Sequence, residues 1–533
     1  MRRRATFLGA VVAAVVLASS VAKAEDRQLA SGPYEGQGPK VFTAANAPAT
    51  PKLEDLPRQK SVSQYGITWT FETEMPVGRF ITGDWYVVGP AKVVAIDPKP
   101  LVGADEVGDA FTEYEAKHSR EVVVRNGSVL NPKLAGIDQG AAPFDSRLPY
   151  HVCKLDQLAR PPVEMKPGDA LYSTISKANE DVTMAKLGDP HIRVIKTGAI
   201  LTCVAAPLPA DAFRPALHDR EQTIFLSRNI RRELMYALPL TKALPQAGTT
   251  PKVKSWDEAL DRWARIFQRP WVDFDQWGWV NPEDNMPEYG QWVTHATAIA
   301  ALMLHLDIPA EAKEKILVGY LQYGIDLWGQ IRAGRAFLGH GGYGQGRKWP
   351  ILFAGLLFGD ERMQNPEKHC PNVTFGEDMQ TYDGKSFWGH DVVFLSHPIR
   401  IKQGSMKVSA DTEAPEEWNA MGNEGYRRCC TSVNWPGHAL SAMMFRAESL
   451  WNHDPYFRYV DRWMTEDHIA QLTRIIEGLQ KNTKIEKKII DSFIKNFQKD
   501  IDRYKGPGYR RTDEFQQEMW NTYRNNLPPA KGK

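Results

Sequence analysis

Between Trp271 and Pro350 the chain gathers a dense set of side chains able to do acid–base chemistry or to stack on a flat ligand. The segment NPEDNMPEYGQWVTH (281–295) supplies Asp284, Asn285, Glu288, Tyr289 and His295. The segment GHGGYGQGRKWP (339–350) supplies His340, Tyr343, Arg347 and Lys348 among Gly339, Gly341, Gly342, Gly344 and Gly346. Glycines this dense do not fill a core. They permit unusual dihedrals and close backbone approach, and loops of this kind often carry function. The GK[ST] ending of a phosphate-binding loop is missing. Just upstream, Trp271, Trp277 and Trp279 are candidate binding platforms, since an indole can pack against the C–H face of a sugar ring.

Two later clusters extend the set. FGEDMQTYDGKSFWGHDVVFLSHP (375–398) holds Glu377, Asp378, Asp383, Trp388, His390, Asp391 and His397. EEWNAMGNEGYRRCCTS (416–432) holds Glu424, Tyr426, Arg427 and Arg428. Each group also has a plainer role. Asp284 and Asn285 suit a helix cap, and Glu288 a helix N-terminus. His295 suits a hydrogen-bonded core position. Arg347 can anchor a turn. Most of the loop charges can simply be solvated, and the tryptophans can be ordinary packing.

The elements that must position these residues divide the chain. Residues 25–60, rich in Pro, Ala and Gly, read as a flexible linker. Residues 61–240 have β texture: short runs at Gly66–Phe71, Trp85–Pro90, Lys92–Ile96, Glu121–Arg125, Ile192–Ile195 and Ala199–Ala205, broken by turn residues, predict a sandwich-like all-β region. Near Trp256 the period changes. Helices are expected over 256–268, 288–306 and 310–332, a buried apolar segment over 349–358, and helices again over 434–449 and 454–469. Helix, functional loop, helix, repeated over 250–470, predicts an (α/α) toroid carrying the site. The extension 471–533 places Ile485, Ile489, Phe493 and Phe497 at helical spacing, an amphipathic helix docked on the rest. The expected fold is therefore multidomain, an N-terminal all-β region followed by an all-α toroid.

Arg2, Arg3 and Arg4, an apolar run from Phe7 to about Ala18, and Ala22-Lys23-Ala24 read as a cleavable export signal over 1–24. Its removal takes Lys+Arg from 66 to 62 against 64 Asp+Glu, a formal net charge of −2. Nucleic acid is thereby disfavoured as a partner, because such binders need a basic face. No later segment is long and apolar enough for a membrane helix. A periplasmic or extracellular location is expected, and it permits disulfides. Cys153 and Cys203 can pair, Cys429 and Cys430 can each take other partners, and the odd count of five leaves one thiol over. The spacing fits no zinc motif, so neither metal nor cofactor is expected. FDSR (144–147) places Asp145 and Arg147 near Arg125 as either cleft residues or a buried ion pair, the latter preferred.

In layout and residue texture, Ser61 to Asp467 resembles extracellular carbohydrate-active enzymes that join a β-domain to an (α/α) toroid, among them glycoside hydrolases and polysaccharide lyases. The resemblance implies cleavage of a polysaccharide or oligosaccharide. Hydrolysis needs two carboxyl groups, one a protonated acid and one activating water, at ~6.5–9.5 Å for inversion. Asp284 or Glu288 with Asp391 or Glu424 would serve, and this is the first expectation. The alternative is β-elimination from a uronic-acid polymer. The resemblance implies Tyr, His, Asn and Arg for that reaction, here Tyr343, His340, Asn285 and Arg347, with Tyr289 beside them. Trp388 and Tyr426 join the three upstream tryptophans as substrate-binding residues. A third reading is a non-catalytic exported glycan-binding protein. No GxSxG elbow or HExxH motif supports a protease.

Overall fold

The computed structural model describes residues 29–30, 32–117, 123–133, 144–147, 155–184, 193–247, 252–274, 281–287, 289–402, 411–505 and 511–531. The export segment, Cys153, Trp277, Trp279 and Glu288 lie outside them.

The N-terminal part is a curled β-sheet. β1 (Arg58–Gln64) and β2 (Ile67–Arg79) form a hairpin across Tyr65 and Gly66. Both turn residues have positive φ, the combination that matches a two-residue turn to strand twist. β2 is long enough to be shared. Its Thr68–Phe71 stretch pairs with β4 (Ala91–Asp97), and Val77–Arg79 pairs with β3 (Trp85–Val88). With the short pair β5 (Leu101–Val102) and β6 (Val124–Arg125) set apart, β7 (Ser128–Leu130), β8 (Val163–Met165), β9 (Ala170–Ser176) and β10 (Ile195–Val204) complete the main sheet. Its order is β7-β9-β10-β3-β2-β4-β8, antiparallel except for β10 beside β3. The sandwich-like expectation thus takes the form of one curled sheet covered on both faces. Leu171, Ala199, Leu201 and Cys203 pack with Trp69, Phe71, Val87 and Val93 on one side. Tyr172 and Ile200 point the other way, against Phe144, Leu217 and Phe274. This alternation is the period of two that a pleated strand imposes.

Residues 32–57 lack regular strands but are tied down along their length. Glu35 pairs with Arg269 at 2.5 Å, and Arg228 donates to Pro48 O at 2.8 Å. Arg125, Asp145 and Arg147 form a buried ion cluster with Asp109 and Glu115, the preferred of the two readings of FDSR.

The C-terminal part is helical. α1 (Trp256–Gln268) starts where Ser255 Oγ accepts from Glu258 N while Glu258 accepts from Lys254 N. Ser255 thus caps the helix, and Glu258 ties down the residue before the cap. α1 buries Leu260, Trp263, Ile266 and Phe267. α2 (Gly290–Met303), α3 (Ala310–Arg332) and α4 (Lys348–Phe358) are buried on most sides, because they pass through the middle of one continuous core. α3 reaches its neighbours through glycines five residues apart. A Cβ on Gly319 would fall 2.3 Å from Phe267 O, on Gly324 2.4 Å from Pro350 O, and on Gly329 2.4 Å from Ala216 Cβ. α5 (Pro436–Met444) packs on α2, and α6 (Asp454–Thr465) follows. α7 (His468–Leu479) and α8 (Lys487–Lys505) join through Leu472, Ile475, Ile490, Phe493 and Phe497, and α9 (Glu514–Tyr523) lies beside α5. Among the described residues no helix is long and apolar enough to cross a membrane.

Sheet and helices are locked by a buried charge triad. Arg214 is fully buried, with Nε 2.9 Å from Asp84 before β3 and Nη1 3.0 Å from Asp326 on α3. Removing one member would strand a charge, at a cost of about 3–5 kcal/mol.

Candidate functional site

The glycine loop joins α3 to α4 and lies across the start of α2. Two of its glycines, Gly341 and Gly346, have φ of +58° and +84°. A Cβ on Gly290 would fall 1.9 Å from Tyr343 O, so α2 must begin with a glycine for the loop to lie there. The loop is held from three directions. Gln380 Nε2 donates to Gly341 O and Ser396 O, both at 2.8 Å, and Gly341 N donates to Ser396 O at 2.8 Å. Gly346 N donates to Glu377 Oε2 at 3.2 Å. Gln345 Nε2 donates to Cys430 O at 2.6 Å.

The result is a chain of rings drawn from four separate segments. Tyr289 meets Tyr343 edge-on at 4.5 Å, Tyr343 lies 5.9 Å from His340, His340 meets His397 at 4.8 Å, and His397 meets Tyr426 at 4.5 Å. Tyr289 and His397 are buried, whereas His340, Tyr343 and Tyr426 are partly exposed. His397 Nδ1 is 2.8 Å from Ser396 Oγ, leaving Nε2 directed toward Gly341. Tyr289 Oη accepts from Gly342 N at 3.2 Å. Burial, with Tyr343 and Tyr426 adding to it, raises the Tyr289 phenol well above its ordinary value. It is therefore a neutral phenol, suited to giving a hydrogen bond rather than to taking a proton.

Against this cluster lies an uncommon covalent feature. Cys429 and Cys430 are bonded to each other, not to distant partners. They sit in a π-helical turn, Arg427–Thr431, that continues the short helix Gly422–Tyr426. Such turns are frequent at functional sites. Gln291 Nε2 on α2 donates to Cys429 O at 2.9 Å, which mirrors the Gln345 bond to Cys430 O. Cys203 and Cys370 are free thiols, so the pairing of Cys203 with Cys153 does not form.

The structure thus brings Tyr289, His340, Tyr343 and Tyr426 together and places the other candidates elsewhere. Arg347 is fully buried, with Nε 2.8 Å from Asp273 and Nη1 donating to Tyr343 O at 2.6 Å and Gln345 O at 2.7 Å. It braces the loop from beneath. Asn285 is buried too, donating to Arg269 O at 3.0 Å. Asp284 pairs with Arg269. Asp391 is exposed beside Arg458 at 3.4 Å. Glu424 is buried, 2.6 Å from Arg428 Nε and 3.4 Å from Arg427 Nη1. Trp271 is a core residue stacked on Phe267 at 4.7 Å, with Nε1 donating to Ile266 O. Trp388 packs beside Phe387 against the α7–α8 cluster. His295 is buried 3.4 Å from Asp513.

Two members of the 375–398 cluster that were not among the expected catalytic residues gain importance. His397 completes the ring chain. Glu377, read as a solvated loop charge, is buried beneath the glycine loop; burial, with Asp378 adding to it, pushes its carboxyl up to about 7. No spacing rule exposes either. His397 reaches the loop through the backbone bond between residues 341 and 396, and Glu377 through its bond to residue 346.

Among the described residues, no group of three or more His, Cys, Asp or Glu side chains is arranged to hold a metal ion. Compared with family models, characterised proteins and solved structures, the chain matches none.

Proposed function

We propose that the chain is an exported carbohydrate-active enzyme that cleaves a uronic-acid glycan by β-elimination. Its helical half would be an (α/α) toroid presenting the site. The observation that carries this reading is the ring chain Tyr289–Tyr343–His340–His397–Tyr426, assembled from four segments around a glycine-rich loop. Elimination needs a base for the proton beside the uronate carboxylate, donors to that carboxylate, and a proton for the departing oxygen. Tyr343, partly exposed and adjacent to the partly exposed His340, is the base of choice. Arg347, Asn285 and His397 are enclosed in the fold, so donation to the carboxylate falls to the imidazole N–H of the partly exposed His340. Tyr289, a neutral phenol, lies beside Tyr343 as a hydrogen-bond donor to the same region.

Hydrolysis, the first expectation from sequence, finds less support. It requires two carboxyl groups facing one bond. Asp284, Asp391 and Glu424 are each paired with arginine, in three different surroundings. Glu377 holds its proton as a general acid must, but it lies buried under the loop, bonded to Gly346 N.

The test is incubation of the full mature chain with a panel of neutral and uronic-acid polysaccharides. Unsaturated product is followed at about 235 nm beside reducing ends, an assignment of reaction class. Both signals rising on a uronic-acid polymer support elimination. Reducing ends alone return the protein to hydrolysis. Neither signal, with retained binding, leaves a glycan-binding protein.

A further inference from the structure

Adjacent cysteines joined to each other close an eight-membered ring that includes their peptide bond, and so restrict the backbone locally. In this chain that restriction falls at a junction. The turn 427–431 carries Tyr426 at its start. Its two cysteine carbonyls are the acceptors for Gln291 from α2 and Gln345 from the glycine loop. Gly342 lies so close that a Cβ there would meet Cys430 O and Tyr289 Oη, each at 2.7 Å. Gln345 is itself bonded to Trp435 Nε1, just beyond the turn. The short helix that leads into the turn is backed by α8: a Cβ on Gly425 would lie 3.2 Å from Phe493. Three of the four segments of the ring chain therefore meet at one disulfide. Cys429 is partly exposed whereas Cys430 is buried, so Cys429 is the side from which a small reductant would approach.

We propose that the Cys429–Cys430 disulfide is a redox-sensitive positioning element for the tyrosine–histidine cluster. Oxidised, it holds the two carbonyls that fix α2 and the glycine loop; reduced, it releases them. The reductant is a dithiol. Its thiolate attacks Cys429 Sγ, the Cys429–Cys430 bond breaks, and Cys430 leaves as a thiolate. The second thiol of the reductant then displaces Cys429 from the mixed disulfide. Two electrons pass to the protein, two protons end on Cys429 and Cys430, and the reductant departs as its own disulfide.

The experiment uses the full chain treated with dithiothreitol under native conditions. Alkylation followed by peptide mass mapping reports whether Cys429 and Cys430 are reduced, and hydrogen exchange is followed in parallel. Expected are alkylation at both cysteines and faster exchange, by about tenfold or more, at 289–294, 339–347 and 423–435, with the β10 and α3 amides unchanged, the pattern of local rather than global opening. Reoxidation restores protection. Reduction with no exchange change in those segments overturns the proposal, as does a disulfide that native dithiol cannot reduce. A C429A/C430A variant should show the reduced pattern permanently; should it not fold, the reduced wild-type chain carries the test alone. If elimination is observed, reduction should lower kcat by about 100-fold, the scale of a misplaced catalytic group, with KM little changed. That last measurement rests on the function proposed above, whereas the alkylation and exchange measurements do not, so failure of one is separable from failure of the other.

Discussion

Tyr343 and Arg347 stand four residues apart in one loop and have opposite jobs. Arg347 is enclosed, its charge answered by Asp273 in two bonds of 2.8 and 3.1 Å. Lysine cannot reproduce that fork. R347K should lower unfolding stability by about 3 kcal/mol, the cost of disturbing a buried pair, measured by urea denaturation. Tyr343 is partly exposed, and Y343F removes one hydroxyl, worth about 1 kcal/mol at most. It should leave stability nearly unchanged and abolish product formation; a Y343F protein with full activity would remove Tyr343 from the base role. Glu377 gives a prediction in pH. Its folded acidity of about 7 lies above the ordinary 4.5, so the folded chain holds the proton more tightly than the unfolded one. The stability it lends is complete below 4.5 and is lost as pH rises toward 7, at up to about 1.4 kcal/mol per unit. E377Q, which keeps the group neutral, should gain on the wild type from pH 5 to 7 and hold that gain to pH 8. Parallel stability curves for the two proteins across that range would show that the carboxyl is already ionised.

The helices owe their placement to glycine as much as to apolar periodicity. Gly324 on α3 has Pro350 O 2.4 Å and Ala354 Cβ 2.8 Å from where a Cβ would stand. G324A must push α3 and α4 apart, and should cost about 1–3 kcal/mol as a lower denaturation midpoint with an unchanged slope. A neutral result would mean that α4 moves freely, in conflict with its burial. The helices themselves were legible. The expected 256–268 and 310–332 coincide with Trp256–Gln268 and Ala310–Arg332, because both patterns repeat every three to four residues and the first carries a cap. The strands from Trp85 and from Lys92 were legible too. The sheet order was not, since β10 beside β3 is a pairing across more than a hundred residues that alternation cannot express. The candidate site divides the same way. The glycine loop announced itself by composition, and Tyr289, His340, Tyr343 and Tyr426 came with their motifs. His397, Glu377 and the Cys429–Cys430 bond depend on which loops touch, and Arg347 looked chemical because its partner Asp273 sits 74 positions away.

At the scale of the whole molecule, burial of imidazoles sets the response to acid. His305 and His438 are enclosed in the helical core and His218 lies near the sheet; burial pushes each down to about 3. The unfolded chain takes up these three protons near 6.5, the folded chain only near 3. Stability from this source is complete above about 6.5 and is lost as pH falls toward 3, at up to about 1.4 kcal/mol per unit for each histidine. Glu377 works in the opposite sense, gaining as pH falls from 7 to 4.5, but one carboxyl cannot offset three imidazoles. His468, held down to about 2 by burial and the neighbouring Arg428, adds a fourth imidazole to the losing side, so the balance near pH 5.5 is a loss of about 4 kcal/mol per pH unit. Glu466 joins on the losing side below 4.5, because the arginines around it hold its carboxyl down to about 2. Urea denaturation at half-unit steps from pH 7 to 5 measures the slope directly. H305Q should remove about a quarter of the histidine contribution. A flat profile over that range would mean that the buried imidazoles are already charged in the folded protein, which their apolar surroundings and the nearby Lys313 and Arg335 oppose.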